Sequence, residues 1–231
     1  MRGMAIGILA LAALTSPTRA DPFYLRYDAE ETYPEQDGFT RYGQDPEGLL
    51  VRSVKDGLFT IDSRASFGIF DLYLVQSDAF ELERGEELRI NWRMRTLEDT
   101  GTPQQTDVNF FLSNSSAAFV DLFIGPGFVS ENELGDEHFY PFLPGFHTFS
   151  FRSADMLSYQ LFVDGAFAFA GLFHAQAIIG PNFVTFGDAV IGERSLSKWD
   201  YVEIAVVPEP STILCTSFLM FICHVGRRRG S

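Results

Sequence analysis

The sequence predicts an all-β fold in which two antiparallel sheets pack face to face as a β-sandwich. Between the two ends of the chain, short apolar segments of period two alternate with Gly, Pro, Asp and Asn, a pattern typical of half-buried strands and turns. No long window of this central part keeps a 3.6-residue period, and the 24 phenylalanines favour pleated surfaces. About ten or more strands at such short spacing favour two sheets over one.

The first 20 residues form a separate unit, which we interpret as a secretory signal peptide. Arg2 precedes an apolar run at residues 4–14, and Ala20 is a small residue before a polar one. Such an order suits cleavage by signal peptidase after Ala20, although Arg19 beside the cut is less usual. The apolar run is too short to cross a bilayer. A buried N-terminal helix is the alternative.

The clearest predicted strand covers residues 88–95. Its alternation puts four apolar residues on one face and four polar residues on the other: Leu88, Ile90, Trp92 and Met94 against Arg89, Asn91, Arg93 and Arg95. Residues 79–82 read as a strand end, and Gly85 lies in the turn that follows. We therefore predict a hairpin of residues 79–82 and 88–94.

A second hairpin is predicted at residues 159–169, with Asp164 and Gly165 at its turn. Asp-Gly is a pair that readily adopts positive φ, so Asp164 is explained by backbone geometry. Further strands are predicted at residues 58–62, 67–75, 108–112, 118–124, 147–152, 184–187 and 199–206.

Several of these segments follow one another in a recognisable order after the turn at Gly85. They are Ile-Asn-Trp-Arg-Met-Arg at 90–95, Phe-His-Thr-Phe-Ser-Phe at 146–151, Tyr-Gln-Leu-Phe-Val-Asp-Gly at 159–165, Phe-Gly-Asp at 186–188 and Trp-Asp-Tyr-Val-Glu-Ile at 199–204. This order resembles the concanavalin A-like lectin and glucanase jelly roll over most of residues 56–206. The resemblance implies the fold more than any function, because one fold hosts many activities.

The C-terminal tail combines a proline motif, an apolar stretch and a basic cluster. Two prolines keep the motif non-helical and exposed, residues 213–225 would enter a bilayer as a short helix, and the arginines would stay in the cytoplasm. The residues that carry these features are Pro208, Glu209, Pro210, Arg227, Arg228 and Arg229. Only 16 residues separate motif and cluster, at positions 211–226, below the roughly 20 of a full span. We therefore expect a transient anchor.

This tail resembles the PEP-CTERM sorting signal over residues 207–231. The resemblance implies recognition by an exosortase, a membrane-bound cysteine protease, in a Gram-negative bacterium that makes exopolysaccharide. A generic tail anchor and a buried helix are the alternatives. The predicted organisation is a signal peptide at 1–20, a β-sandwich ectodomain at 21–206 and a sorting segment at 207–231.

The ectodomain is strongly acidic and has no cysteine. All 31 acidic residues of the chain lie between Asp21 and Glu209, together with 12 of the 17 basic ones, which leaves this part with a net charge of −19. Nucleic-acid binding is excluded, because it needs Lys and Arg against phosphates. Both cysteines, Cys215 and Cys223, lie in the tail. The ectodomain must therefore be held together by its core rather than by disulfides.

The jelly-roll resemblance raises glycoside hydrolysis as a candidate activity. Laminarinase-type hydrolases carry their carboxylates in a Glu-x-Asp-x-x-Glu motif on one strand, and Glu81, Glu83 and Glu86 have a similar spacing. The middle residue differs, and Gly85 places the segment in a turn, whereas retaining hydrolysis needs two carboxyl groups about 5 Å apart on a rigid floor. We predict no catalytic residue here and interpret the segment as a solvated acidic turn.

Calcium is the one candidate cofactor, because related jelly rolls often hold it in loops. Residues 131–138 form an acidic run whose candidate ligands are Glu131, Glu133, Asp136 and Glu137. Calcium takes six to eight oxygens, and this run lacks the ordered spacing of an EF-hand, so a solvated loop is the alternative. His138, His147 and His174 are too scattered to indicate a zinc site.

The polar face of residues 88–95 is the predicted glycan-binding surface. The candidate residues are Arg89, Asn91, Arg93 and Arg95, with Asn109 and Asp121 on following strands. In similar jelly rolls glycans often lie on the concave sheet face, and planar donors pair well with hydroxyls and carboxylates. An acidic exopolysaccharide is thus a candidate ligand. The alternative is that the arginines pair with acids across strands.

Together these features predict a non-enzymatic protein of the cell surface or extracellular matrix that binds or organises polysaccharide. Its expected partners are signal peptidase, the exosortase, the polysaccharide and, transiently, the inner membrane. A hydrolase of the same fold and a structural surface module without a ligand are the alternatives.

Overall fold

The structure is a computed structural model that describes residues 23–45, 47–65, 70–100, 108–116, 118–132, 137–175, 182–189 and 194–208. The predicted signal peptide and residues 209–231 of the predicted sorting segment lie outside these ranges. The strands in the described ranges are β1 (Tyr24–Asp28), β2 (Thr40–Gln44), β3 (Val51–Lys55), β4 (Leu58–Asp62), β5 (Phe70–Gln76), β6 (Glu86–Asp99), β7 (Val108–Ser113), β8 (Ala118–Gly125), β9 (Phe128–Asn132), β10 (Glu137–Pro141), β11 (His147–Ser153), β12 (Ser158–Val163), β13 (Ala166–Leu172), β14 (His174–Ala175), β15 (Phe183–Asp188) and β16 (Ser195–Pro208).

The strands form two antiparallel sheets. The first sheet has the order β13-β12-β11-β6-β16-β4-β3, with β1 also paired to β16. The second sheet has the order β10-β9-β8-β7-β15-β5-β2, with β14 also paired to β8. This arrangement confirms the predicted all-β, two-sheet antiparallel class. No helix in the described ranges has the length and apolar character needed to cross a membrane.

The core lies between the sheets and is rich in aromatic rings. On β6, the predicted apolar face is fully buried. Its Trp92 ring stacks on Phe110 of the second sheet with centroids 4.3 Å apart, and on Phe149 of β11 at 5.2 Å. Trp92 therefore joins the two sheets, because aromatic rings combine a large buried area with preferred stacking geometry.

The hairpin at Asp164 and Gly165 is confirmed. β12 and β13 flank these two residues, whose φ angles are 50° and 79°. Two consecutive left-handed residues match the twist of the flanking strands, and glycine adopts that conformation without a Cβ clash. The Asp164 carboxylate also accepts a hydrogen bond from the Thr148 backbone N–H at 2.9 Å.

The predicted hairpin of residues 79–82 and 88–94 is wrong in its first arm. Asp78–Phe80 form a single 3₁₀ turn, in which the Phe80 N–H bonds to the Ser77 carbonyl. The fully buried Phe80 ring packs against Phe23 at 5.2 Å, so this segment is held by one anchored ring rather than by a sheet ladder. The turn at Gly85 is present, with a φ of 86°.

Candidate functional site

The arginine stripe lies on the outer face of the first sheet, as predicted, but two of its three arginines are paired with acids. Arg89 Nη2 contacts Glu87 Oε2 at 2.7 Å, two residues back on the same strand. Arg93 forms an ion pair with Asp200 of the neighbouring β16. Acids of the same sheet therefore occupy these guanidinium groups, in the manner of cross-strand charge pairs.

The other two members of the stripe, Asn91 and Arg95, also contact neighbouring side chains. Asn91 donates its side-chain N–H to Glu203 Oε1 at 3.3 Å, and Glu203 also contacts Arg26 of β1 at 3.3 Å. The Arg95 guanidinium lies over the Phe146 ring, 4.7 Å from its centroid. A glycan on this face would have to displace contacts that the protein already makes.

The other two candidate glycan-binding residues lie on the opposite side of the molecule. Asn109 is on β7 and Asp121 is on β8, both in the second sheet. Each alternates with residues of the core, so each faces away from the first sheet. The prediction that all six residues share one surface is wrong, because the chain crosses from one sheet to the other between β6 and β7.

The outer face of the second sheet carries an aromatic platform. Phe111 of β7 lies between Phe119 of β8 and Phe183 of β15, with ring centroids 5.3 and 5.5 Å away. The three rings are nearly parallel, with interplanar angles of 18° and 19°, and all three are half-buried. The platform presents apolar edges and faces on the side of the sheet that points away from the core.

Small polar side chains lie beside this platform and are buried. The register places Asn109 opposite Gly187 on one side and Phe123 on the other, and Asp121 opposite Phe111. Asn109 is 5% exposed and Thr185 of β15 is also 5% exposed. Their burial on an outer face means that neighbouring groups shield them from water.

Asn109 and Asp121 are joined by one hydrogen bond. Asn109 Nδ2 donates to Asp121 Oδ1 at 3.1 Å, while the buried Asn109 Oδ1 has no hydrogen-bond partner. Burial raises the pKa of Asp121 to about 7, and the nearby Glu131 charge raises it further, whereas the bond from Asn109 acts to lower it. An unpartnered buried carbonyl costs free energy in the unliganded protein. A ligand hydroxyl that donates to it would recover that cost.

The structure moves Glu131 out of the predicted acidic loop. Glu131 is on β9 and is 1% exposed. The Tyr159 hydroxyl donates to its carboxylate, and Nε2 of His174 and of His138 lie 3.1 and 3.9 Å from its oxygens. Burial raises the pKa of Glu131, while Tyr159 and the histidines act to lower it. This carboxylate ties both sheets together and is not part of a solvated loop.

The calcium prediction stays untested for its other residues. Glu137 begins β10, and Glu133 and Asp136 lie outside the described residues. In the ranges that the structure describes, no group of three or more His, Cys, Asp or Glu residues is arranged to hold a metal ion. A melting temperature that falls when a chelator is added would support calcium binding.

The three glutamates of the hydrolase-like motif do not share a strand. Glu81 follows the 3₁₀ turn, and Glu86 begins β6. The Glu86 carboxylate accepts a hydrogen bond from the Glu83 backbone N–H at 2.8 Å. Glu86 therefore caps its own turn, which fits the interpretation of this segment as an acidic turn.

No protein-family model matches the chain, and no curated protein matches it. Solved structures do match the chain. A carbohydrate esterase from the Shiga toxin-encoding bacteriophage phi24B superimposes with a TM-score of 0.58 at 14% identity, covering 82% of this chain and all of that one. The endo-β-1,3-glucanase of Pyrococcus furiosus gives 0.53 at 13% identity, with 79% and 94% coverage.

The cellulose-induced protein Cip1 gives a TM-score of 0.53 at 13% identity, covering 78% of this chain and 96% of that one. Identities this low show the fold alone. The chain therefore has the concanavalin A-like jelly-roll fold that its order of segments predicted.

Proposed function

We propose that this chain is an exported, non-enzymatic protein of the cell surface or matrix that binds polysaccharide through the outer face of its second sheet. The observation that carries this proposal is the buried, unpartnered Asn109 Oδ1 beside Asp121 and the Phe111 platform. Sugar rings present apolar faces that stack on aromatic rings and hydroxyls that pair with amides and carboxylates. Both kinds of group lie together here.

The charge of this face favours a neutral glycan over an acidic one. The residues of β7, β8 and β15 that alternate onto it include no Lys or Arg, and Asp121 adds a carboxyl group. Of the three arginines that favoured an acidic exopolysaccharide, Arg89 and Arg93 are paired with acids of the first sheet. We therefore expect binding of neutral chains, because an anionic chain would meet no Lys or Arg on these three described strands.

Retention on a glycan array or on extracted matrix tests the binding. Phe111→Ala should weaken retention of a neutral polysaccharide about tenfold through loss of stacking. Arg93→Ala, on the opposite sheet, is the matched control and should bind like the wild type. Weaker retention of Arg93→Ala with unchanged retention of Phe111→Ala would instead assign binding to the arginine stripe. No retention of any glycan by the folded wild-type chain would leave a structural module without a ligand.

A hydrolase of the same fold is the second candidate, favoured by the glucanase and esterase among the similar structures. Asp121, with a pKa raised to about 7 by burial, is about half protonated at neutral pH, which suits a general acid. Release of reducing ends from a neutral glycan by the wild type, abolished in Asp121→Asn, would establish this activity. Retention of the glycan without release of reducing ends would support binding without hydrolysis.

Export and sorting are part of the proposal and rest on the two ends of the sequence. The N-terminal 20 residues would direct secretion, and the Pro208-Glu209-Pro210 motif with the three terminal arginines would direct processing. Fractionation of cells tests this route. The wild-type chain should reach the surface, and a chain with Arg227, Arg228 and Arg229 replaced by Ala should be mis-sorted.

A further inference from the structure

Two cations lie directly opposite each other on the outer face of the first sheet. The antiparallel register pairs Arg95 of β6 with Lys198 of β16. Each follows or precedes a buried core residue, Met94 or Trp199, so both side chains leave the same face of the sheet. Directly opposed like charges destabilise a sheet. This cation pair is unexpected in a chain with 31 acidic residues and only 17 Lys and Arg.

Acids close to the cation pair in the sheet are bonded to other arginines. Asp200, further along β16, forms its ion pair with Arg93. At the end of β4, Asp62 is paired with Arg64 at 2.8 Å. In the part of the chain that the structure describes, neither member of the cation pair makes an ion pair of its own. A counter-charge would therefore have to come from a ligand.

The Arg95 guanidinium has an unsatisfied donor. Its contact with the Phe146 ring, 4.7 Å from the centroid, leaves the N–H groups unused. Its Nε is buried and has no hydrogen-bond partner. A buried donor without a partner costs free energy. An oxyanion bound to this guanidinium would offset that cost and the repulsion from Lys198 together, and it would break no ion pair.

The register extends the cation pair into a row of donors across four strands. Lys198 is opposite Thr60 of β4, and Thr60 is opposite Ser53 of β3. Both hydroxyls lie on the outer face, because Thr60 alternates with the buried Phe59 and Ile61. Neighbouring strands are about 4.8 Å apart, so the row spans about 14 Å. We call Arg95, Lys198, Thr60 and Ser53 the donor row.

The donor row suits a ligand that carries a carboxylate beside hydroxyls. Guanidinium and ammonium groups bind carboxylates strongly. The two hydroxyl side chains favour a sugar acid over an acidic peptide, because a sugar acid presents hydroxyls next to its carboxylate. We propose that the donor row binds a carboxylate-bearing saccharide, with the carboxylate at the cation pair. This site lies on the other sheet from the Phe111 platform, so it does not rest on the proposed function.

Binding of the purified full-length chain, in mild detergent, to immobilised polygalacturonate tests this proposal. At about 0.15 M salt the Debye length is about 8 Å, which weakens repulsion by the net charge of −14 more than contacts within the row. The wild type should bind, and Lys198→Gln and Arg95→Gln should each raise the Kd at least about tenfold. Lys198→Arg should keep most of the affinity. Arg152→Gln, which removes the same charge from β11 of the same sheet, is the matched control and should bind like the wild type.

The fully methyl-esterified polymer separates charge recognition from other contacts. It has no carboxylates, so Lys198→Gln and the wild type should bind it alike. Thermal melts check folding, and Lys198→Gln should melt no lower than the wild type, because it removes the repulsion between two opposed cations. A lower melting temperature would contradict the description of this pair as unsatisfied.

A wild-type chain with no affinity for polygalacturonate would overturn the proposal. An equal loss in Arg152→Gln would also overturn it, because binding would then follow net charge rather than the donor row. Phe111→Ala should bind polygalacturonate like the wild type. A loss in that variant alone would assign the acidic polymer to the second sheet, so failure of the donor row and failure of the proposed function give different results.

Discussion

Asn109 donates a hydrogen bond to Asp121 but leaves its own carbonyl oxygen buried without a partner. The pair belongs to two neighbouring strands of the second sheet and faces away from the core. Most buried polar groups in folded proteins are hydrogen-bonded. An unpartnered carbonyl oxygen beside a carboxyl group and stacked rings is therefore the feature on which the proposed binding site rests. On the outer face of the first sheet, Arg89 and Arg93 are instead paired with acids.

Asp121→Asn should stabilise the protein above neutral pH. Burial raises the folded pKa of Asp121 from 3.8 to about 7, so ionisation is disfavoured in the folded state and stability is lost as the pH rises from about 4 to 7. The amide cannot ionise and escapes this loss. We expect the variant to gain about 2–4 kcal/mol in free energy of unfolding at pH 8 and almost nothing at pH 4. A gain that is equal at both pH values would contradict the assignment.

Asp188→Asn should show the same dependence at a different site. Asp188 is fully buried on β15, and burial raises its pKa to about 7 against the bonds from Ser63 and Ser195. We expect about 2–4 kcal/mol of stabilisation at pH 8, lost towards pH 4, in denaturant titrations.

Asp155→Asn is the matched control for both aspartates. Burial acts to raise the pKa of Asp155, but hydrogen bonds from the Leu157 and Ser158 N–H groups outweigh it and lower the pKa. The carboxylate therefore stabilises the fold above the unfolded pKa, and this contribution is lost as the pH falls. Asp155→Asn should destabilise the chain at pH 8. A gain in stability there would invalidate the reasoning for all three residues.

Trp92→Phe and Trp92→Ala should lower the free energy of unfolding by very different amounts. The Trp92 ring stacks on Phe110 and Phe149, while its buried Nε1 has no hydrogen-bond partner. Phenylalanine keeps a ring in place and removes the unpaired donor, so it should cost less than about 1.5 kcal/mol. Alanine leaves a cavity between the sheets and should cost about 3–5 kcal/mol by denaturant titration. Equal costs would mean that Trp92 does not join the sheets as described.

Gly165→Ala should lower the free energy of unfolding by about 1 kcal/mol, through backbone strain alone. Its φ is 79°, and a Cβ added there would meet nothing within 4 Å, so no steric contact adds to the cost. Gly145→Ala is the comparison, because that glycine has no positive φ and its nearest neighbour is His147 Nε2 at 3.8 Å. We expect this second change to be neutral or slightly stabilising in thermal melts. The opposite ranking would argue against the two-residue turn.

Period-two alternation predicted the long strands well. The predicted strand at residues 58–62 coincides with β4, and the predicted strand at residues 88–95 lies within β6, because the core-facing residues of both are all apolar. The sequence did not predict β9 and β10. The inward-facing residues of β9 include the polar Glu131, which is hydrogen-bonded to Tyr159 and His174. A buried polar network hides the alternation from which a strand is recognised.

The candidate site was predicted only in part, and the reason is topological. Asn109 and Asp121 were identified from their residue types, but sequence order does not tell which sheet a strand joins. Asp200, which pairs with Arg93, and Glu203, which accepts a hydrogen bond from Asn91, come from β16, more than a hundred residues further along the chain. Such pairs depend on strand neighbours that only the fold determines.

β16 does not stop at the predicted boundary after residue 206. It continues through Val207 to Pro208, which pairs with Glu86 at the start of β6. The first proline of the Pro-Glu-Pro motif is thus part of the sheet, at the rim of the sandwich where β6 begins. In the proposed sorting route, a protease would have to work against the rim of the sandwich.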